Sequence, residues 1–98
     1  MNIAALQEIV ASDARARGAS ALCRPIFWGD ALQLFIKASR IVIVTGFFIR
    51  SADACETDGP PGAVVLGRAL ARVGKHVVLI TDRRNYECLK ACSRSIGG

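Results

Sequence analysis

The sequence contains no apolar run of the roughly 18–20 residues that a membrane-spanning helix requires. Its first residues, MNIAALQEIVASDARARG, carry Glu8 and Asp13 inside an amphipathic pattern. A signal peptide would instead have a positive start and an uninterrupted apolar core. We therefore expect a protein without a membrane partner, located in the cytoplasm, with the mitochondrial matrix as the alternative for a eukaryotic source.

Two nucleotide-binding motifs are also missing. No G-x-G-x-x-G sequence directly follows an apolar run, and no glycine-rich segment ends in G-K-[ST]. Lys and Arg outnumber Asp and Glu by 13 to 8, but the arginines are scattered and no basic run alternates with aromatic residues. The sequence disfavours dinucleotide and P-loop sites, and it predicts no nucleic-acid partner.

Histidine and cysteine are too few and too dispersed for a strong metal motif. His76 is the only histidine, and Cys88 and Cys92 are spaced to share a helix face, but Cys23 and Cys55 supply no matching pair. We expect no metal site, and we expect the cysteines to be reduced thiols, partly buried as small apolar groups. The sequence leaves a cofactor requirement open.

The hydrophobic fraction of the chain is high for a protein of this length. The chain has 98 residues, of which 52% are hydrophobic, and a mean hydropathy of +0.36. A domain this small buries a modest share of its surface. We expect residues 1–98 to form one small domain or a piece of a larger one, whose apolar faces require the remainder of the fold or a homo-oligomeric partner.

Hydrophobic periodicity predicts the order helix, helix, strand, helix, strand and a helical piece. The predicted helices span 2–16, about 31–39, about 59–73 and 85–92, and the predicted strands span 41–44 and 77–80, with a non-periodic loop over 47–55. Pro25 is expected to break any helix and Asp30 to cap the second one.

The two predicted strands, IVIV and VVLI, show no polar alternation. Such runs are typical of parallel strands that are buried on both faces. The expected fold class is therefore α/β, a Rossmann-like three-layer fragment with a right-handed parallel βαβ unit preceded by two helices.

The carboxyl ends of both predicted strands meet at one edge, where open α/β sheets bind ligands. The first strand ends at Thr45-Gly46 and the second before Asp82, and the segment ETDGPPG between them begins a helix. The free N–H groups of that helix attract a carboxylate or phosphate.

The acidic residues at this edge have two interpretations. Glu56 and Asp58 either cap the helix and complement its dipole, or they bind an amine and transfer protons. Asp82 either caps the next helix or joins them. Arg83 and Arg84 either clamp a substrate carboxylate or lie on a solvated surface.

Residues 41–82 resemble the glutamate cyclase-like domain, which is the C-terminal domain of D-glutamate cyclase and also occurs as a stand-alone bacterial protein. The matching elements are IVIVTGF, ETDGPPGA, the helix with Leu66, Arg68, Ala69 and Leu70, then Gly74 and VVLITD. Upstream, SDARARG is similar to the family's Asp-x-x-x-Arg-Gly element. The resemblance covers most of this chain but only about the first third of the family domain. It implies that residues 1–98 are a single domain, the N-terminal part of a larger glutamate cyclase-like α/β domain.

The resemblance implies a carbon–oxygen lyase that dehydrates D-glutamate, a small-molecule amino acid substrate, to 5-oxo-D-proline. Position and chemistry then predict Glu56 and Asp58 as catalytic residues. The residues predicted to bind the substrate are Thr45, Gly46, Thr57, Gly59, Gly62, Asp82 and Arg83. The alternative is a non-catalytic or truncated α/β module that binds a small anion or nucleotide, or self-associates.

Overall fold

The protein is described here by a computed structural model covering residues 2–12 and 18–96. The chain divides into two compact units, Met1–Ala38 and Ser39–Gly98. The predicted α/β class is confirmed, with a parallel βαβ unit preceded in sequence by two helices. Within 2–12 and 18–96, no helix combines the length and apolar character that crossing a membrane requires.

The first unit contains helix α1 (Ile3–Val10), a short 3-10 helix (Ala19–Leu22) and helix α2 (Pro25–Lys37). Helix α1 begins where the Asn2 side chain accepts a hydrogen bond from the Ala4 N–H at 2.9 Å. It ends at Val10, so the prediction of a helix to residue 16 is wrong at residues 11 and 12, which form a turn. Residues 13–17, which carry most of the SDARARG element and Arg17, lie outside the described residues.

Helix α2 begins at Pro25, earlier than predicted. The expectation that Pro25 breaks the helix is wrong because proline suits the first turn, where its fixed φ is helical and its missing N–H has no intrahelical partner. Asp30 consequently lies inside the helix and does not cap it.

The second unit contains the βαβ arrangement. Its elements are β1 (Arg40–Val44), β2 (Phe48–Ile49), a short 3-10 helix (Arg50–Ala52), β3 (Ala54–Cys55), α3 (Gly59–Arg72), β4 (His76–Ile80) and α4 (Tyr86–Ser95). Strands β1 and β4 are parallel and in register from Arg40 opposite His76 to Val44 opposite Ile80. Both predicted strands and the predicted third helix are therefore confirmed.

Helix α3 packs on one face of the β1/β4 pair. A Cβ atom built on Gly67 would lie 3.4 Å from the side chains of both Leu79 and Val77, and 3.7 Å from that of Ile43. Glycine at this position lets the helix approach the strands closely. Ala63, Val64 and Leu70 of the same helix are also buried. Together with Ile41 and Leu89 they form the apolar core of the described residues.

The opposite face of the strand pair is exposed. Val42 is 58% and Val44 74% exposed, and Val78 and Ile80 are also exposed. The prediction that both strands are buried on both faces is wrong for the described part of the chain, where burial alternates along each strand. In β1 and β4, an apolar run without polar residues therefore includes side chains that stay exposed on one face of the strand pair.

The segment predicted as a loop contains a small hairpin. Strands β2 and β3 pair antiparallel, with Phe48 opposite Cys55. A disulfide joins Cys55 to Cys88 in α4, with 6.8 Å between their Cα atoms. The prediction of reduced thiols is wrong for these two cysteines, whereas Cys23 and Cys92 are free.

Candidate active site at the carboxyl edge of β1 and β4

Thr45 and Gly46 carry β1 directly into the edge of the sheet. The Thr45 N–H donates to the Ile80 carbonyl at 3.0 Å and thus extends the pairing with β4. Gly46 has a φ of +135°, and a Cβ built there would lie 2.5 Å from Thr81 Oγ1 and 3.3 Å from an Asp82 carboxylate oxygen. The chain therefore requires glycine at this point, since both the backbone conformation and the space exclude a side chain.

We predict that Gly46→Ala lowers the free energy of unfolding by roughly 2–3 kcal/mol, because the substitution adds backbone strain and a close contact. Gly62→Ala is the matched control, because no atom of the described residues lies within 4 Å of a Cβ at that helical position. It should be neutral or stabilising by up to about 1 kcal/mol. Urea unfolding of both variants measures the difference, and equal stabilities would contradict the account of Gly46.

Asp82 is held by Asn85. The Asn85 N–H donates to one Asp82 carboxylate oxygen at 3.0 Å, and the Asn85 side-chain amide donates to the other at 2.7 Å. Asn85 is 0% exposed, whereas Asp82 is exposed to solvent. The side-chain hydrogen bond from Asn85 is the main reason that the pKa of Asp82 lies below its ordinary value of 3.8. The carboxylate is therefore ionised and fixed at the end of β4.

This lowered pKa predicts a specific acid sensitivity. The stabilisation from ionised Asp82 is fully present above its unfolded pKa of 3.8 and is lost as pH falls through the lower folded pKa. Asp82→Asn should flatten the pH dependence of the unfolding free energy below pH 3.8, while Asp30→Asn, at an exposed helical position, serves as the control. Identical pH slopes for the wild type and Asp82→Asn would contradict the role assigned to the Asn85 bonds.

The start of helix α3 lies against the end of β1. A Cβ built on Gly59 would lie 2.7 Å from Thr45 Oγ1, so the Thr45 hydroxyl is next to the first turn of the helix. Pro60, in that turn, is buried. The structure thus brings Thr45, Gly46, Gly59 and Asp82 to one edge, as the sequence predicts.

The two predicted catalytic carboxylates, Glu56 and Asp58, both come directly before the start of this helix. Asp58 occupies the position before the helix, but its side chain makes no capping hydrogen bond. Glu56 is half-buried, and its N–H donates to the Phe47 carbonyl at 2.7 Å. The capping interpretation therefore does not describe the side chain of Asp58.

The remaining predicted residues lie further out. Thr57 and Arg83 are exposed. The Gly62 N–H donates to the Asp58 carbonyl at 3.4 Å, so it takes part in the first helical turn. Arg84, the neighbour of Arg83, lies over the ring of Phe48 with its guanidinium carbon 5.1 Å from the ring centre.

Asn85 is the main functional-site residue that sequence reasoning misses. An Asp three residues before an Asn is a common local pattern in turns, because short polar side chains bond nearby backbone groups. Burial of the asparagine is a tertiary feature that this pattern does not reveal. Its Oδ1 atom and the hydroxyl of Thr81 are buried and have no hydrogen-bond partner among the described residues.

Within residues 2–12 and 18–96, no three His, Cys, Asp or Glu side chains lie close enough together to hold a metal ion. The Cys88 sulfur is bonded to Cys55, so it does not pair with Cys92 as a thiolate ligand.

The model of one protein family, described as D-glutamate cyclase-like, C-terminal, matches residues 6–98. No curated protein and no solved structure matches the chain. The matched range contains the whole carboxyl edge, from Thr45 to Asn85, together with both helices that border it.

Proposed function

Because this chain belongs to the D-glutamate cyclase-like C-terminal family, we propose that it contributes to a carbon–oxygen lyase that converts D-glutamate to 5-oxo-D-proline. One observation carries the proposal beyond family membership: the start of α3, with Glu56 and Asp58 directly before it, lies against Thr45 at the end of β1. A helix N-terminus next to carboxylates offers partners for both charges of an amino acid.

The reaction joins the α-nitrogen of D-glutamate to its γ-carboxyl carbon and breaks one carbon–oxygen bond there. The ammonium group gives up two protons, and the departing oxygen takes up two and leaves as water. The charge of the molecule is unchanged. The reaction therefore needs a group that removes protons, a donor that returns them, and hydrogen-bond donors for the tetrahedral oxyanion.

We assign proton removal to Glu56 or Asp58, since a carboxylate near the helix start is placed to accept a proton from an amine held there. The free N–H groups of the first turn, around Gly59, stabilise the oxyanion or hold a carboxylate. Thr45 lies against the same turn, Thr57 and Gly62 adjoin it in the sequence, and Gly46 follows Thr45. Asp82, ionised at the end of β4, adds negative charge at this edge.

The direct experiment is to incubate the protein with D-glutamate and measure 5-oxoproline by mass spectrometry. Parallel reactions use L-glutamate, and a further pair is run with and without a metal chelator to test a cofactor requirement. We expect product from D-glutamate and much less from L-glutamate. A folded protein that forms no product in any of these reactions excludes the lyase proposal.

The exposed face of β1 and β4 favours a second candidate function. Four apolar side chains, Val42, Val44, Val78 and Ile80, are exposed side by side on two paired strands. Large exposed apolar patches are typical of interaction surfaces. The alternative is therefore a non-catalytic module that self-associates. Light scattering separates the two: a compact monomer that forms 5-oxoproline leaves the alternative without support.

A further inference from the structure

A second group of charged residues lies at the tip of the β2/β3 hairpin. Arg50 and Asp53 come from the hairpin and Arg84 from the turn after β4, and together with Phe48 they line an open concavity of about 620 Å³. That size is within the range of small-molecule sites. Arg50 and Asp53 do not belong to the site described above, whereas Arg84 lies next to its Asp82.

The hairpin is fixed relative to the turn after β4. The Cys55–Cys88 disulfide joins β3 to α4, and the Glu56 N–H bonds the Phe47 carbonyl at 2.7 Å across the base of the hairpin. Asp53 adopts a left-handed conformation with a φ of +47°, which aspartate tolerates better than most residues. The concavity is therefore built from anchored backbone on both sides.

The charged groups of the concavity are available to a ligand. Arg50, Asp53 and Arg84 are all exposed to solvent, and Arg84 also acts on the nearby Asp82 carboxylate, whose pKa it helps to lower. The ring of Phe48 supports Arg84 through a cation–π contact and leaves the edge of the guanidinium group free to donate hydrogen bonds. Such a planar donor set matches a carboxylate in bidentate fashion.

The charge pattern distinguishes between classes of ligand. Two guanidinium groups and one carboxylate complement two carboxylates and one ammonium group. A simple phosphate would gain the two arginines but would be repelled by Asp53, and a monocarboxylic acid would leave one arginine without a partner.

We propose that Arg50 and Arg84 bind the two carboxylates of an α-amino dicarboxylic acid and that Asp53 binds its ammonium group. The choice of an amino acid rests on the proposed function, but the binding residues do not. Arg84, supported by Phe48, takes the carboxylate-binding role that the sequence assigns to Arg83. Glu56, at the base of the same hairpin, is adjacent to this site in the fold.

Binding is tested by calorimetry with two probes that do not form 5-oxoproline. D-aspartate has two carboxylates and an ammonium group, whereas glutarate lacks the ammonium group. Arg84→Gln and Arg50→Gln should each weaken both probes about tenfold or more, because each removes a charge-assisted pair. Asp53→Asn should weaken D-aspartate and leave glutarate unchanged or tighter.

Arg72→Gln, in the last turn of α3, is the matched control and should change neither affinity by more than about twofold, as expected for an exposed residue outside the concavity. Arg84→Lys retains the charge but not the bidentate geometry, and it should give an intermediate loss. Circular dichroism confirms that each variant is folded. Equal effects at Arg72 and Arg84, or no binding of either probe to the wild type, would overturn the proposal.

The outcome is separable from that of the proposed function. Formation of 5-oxoproline that is insensitive to Arg50→Gln and Arg84→Gln overturns the binding site and leaves the lyase intact. Probe binding that depends on both arginines, without any 5-oxoproline, supports the site and overturns the lyase.

Discussion

Glu56→Gln or Asp58→Asn is expected to reduce the turnover of D-glutamate by ~10²–10⁴-fold, whichever of the two residues transfers the proton. The amide keeps the size of the carboxylate but does not accept a proton at neutral pH. Because the Asp58 side chain makes no capping hydrogen bond, its replacement should cost less than about 1 kcal/mol of stability. Steady-state kinetics and urea unfolding of the same preparations measure both quantities.

Glu8→Gln, at an exposed position of α1, is the matched control for a carboxylate-to-amide change. It should leave turnover and stability unchanged. Rates within about twofold of the wild type for both Glu56→Gln and Asp58→Asn would return these residues to an electrostatic role at the helix start. Proton transfer would then belong to another group at the carboxyl edge.

Removal of the Cys55–Cys88 disulfide is expected to destabilise the protein more than any other substitution proposed above. The bond closes a loop between cysteines 33 residues apart. Constraining an unfolded chain over that distance stabilises the folded state by roughly 3.5 kcal/mol. For a domain whose total stability is of the order of 5–15 kcal/mol, the double variant Cys55→Ser/Cys88→Ser should unfold at a much lower urea concentration.

Cys92→Ser and Cys23→Ser are the controls, because both cysteines are free and half-buried. Dithiothreitol should lower the urea midpoint of the wild type and of these two variants, but not that of the double variant. If dithiothreitol did not change the urea midpoint of the wild type, the presence of a stabilising disulfide would be contradicted. An intact disulfide in protein isolated without added oxidant would count against the cytoplasmic location that the sequence predicts.

The βαβ unit was predictable because its signals are strong and local. The runs Ile41–Val44 and Val77–Ile80 are apolar, rich in β-branched residues and bounded by polar residues. Pro60 and Gly74 mark the limits of α3. These features place Thr45, Gly46, Gly59 and Asp82 at one edge without knowledge of any tertiary contact. The structure confirms that arrangement.

The hairpin and the disulfide were not predictable by the same reasoning. Strands β2 and β3 have two residues each, which is too short for any alternation of polar and apolar residues to appear. The Cys55–Cys88 pair is distant in sequence and becomes close only when the hairpin turns back over the start of α4. The concavity of Arg50, Asp53 and Arg84 depends on both features.

Pro25 and the exposed strand face were misjudged for a different reason. Proline has opposite effects in the first turn and in the interior of a helix, and the sequence around Pro25 does not distinguish them. The apolar run of β1 indicates burial, but it does not reveal how many faces are covered. Val42 and Val44 are exposed although Ile41, in the same strand, is buried.

The claim that an amino acid binds at the carboxyl edge of β1 and β4 is tested most directly by amide chemical shifts. The 98-residue chain, labelled with nitrogen-15, is titrated with D-glutamate and with L-glutamate at matched pH. We predict that D-glutamate shifts the amide signals of residues 45–46, 56–59 and 82–85 more than those of α1 or of the distant end of α3. Shifts confined to other parts of the chain, or no shifts at saturating D-glutamate, would contradict the account.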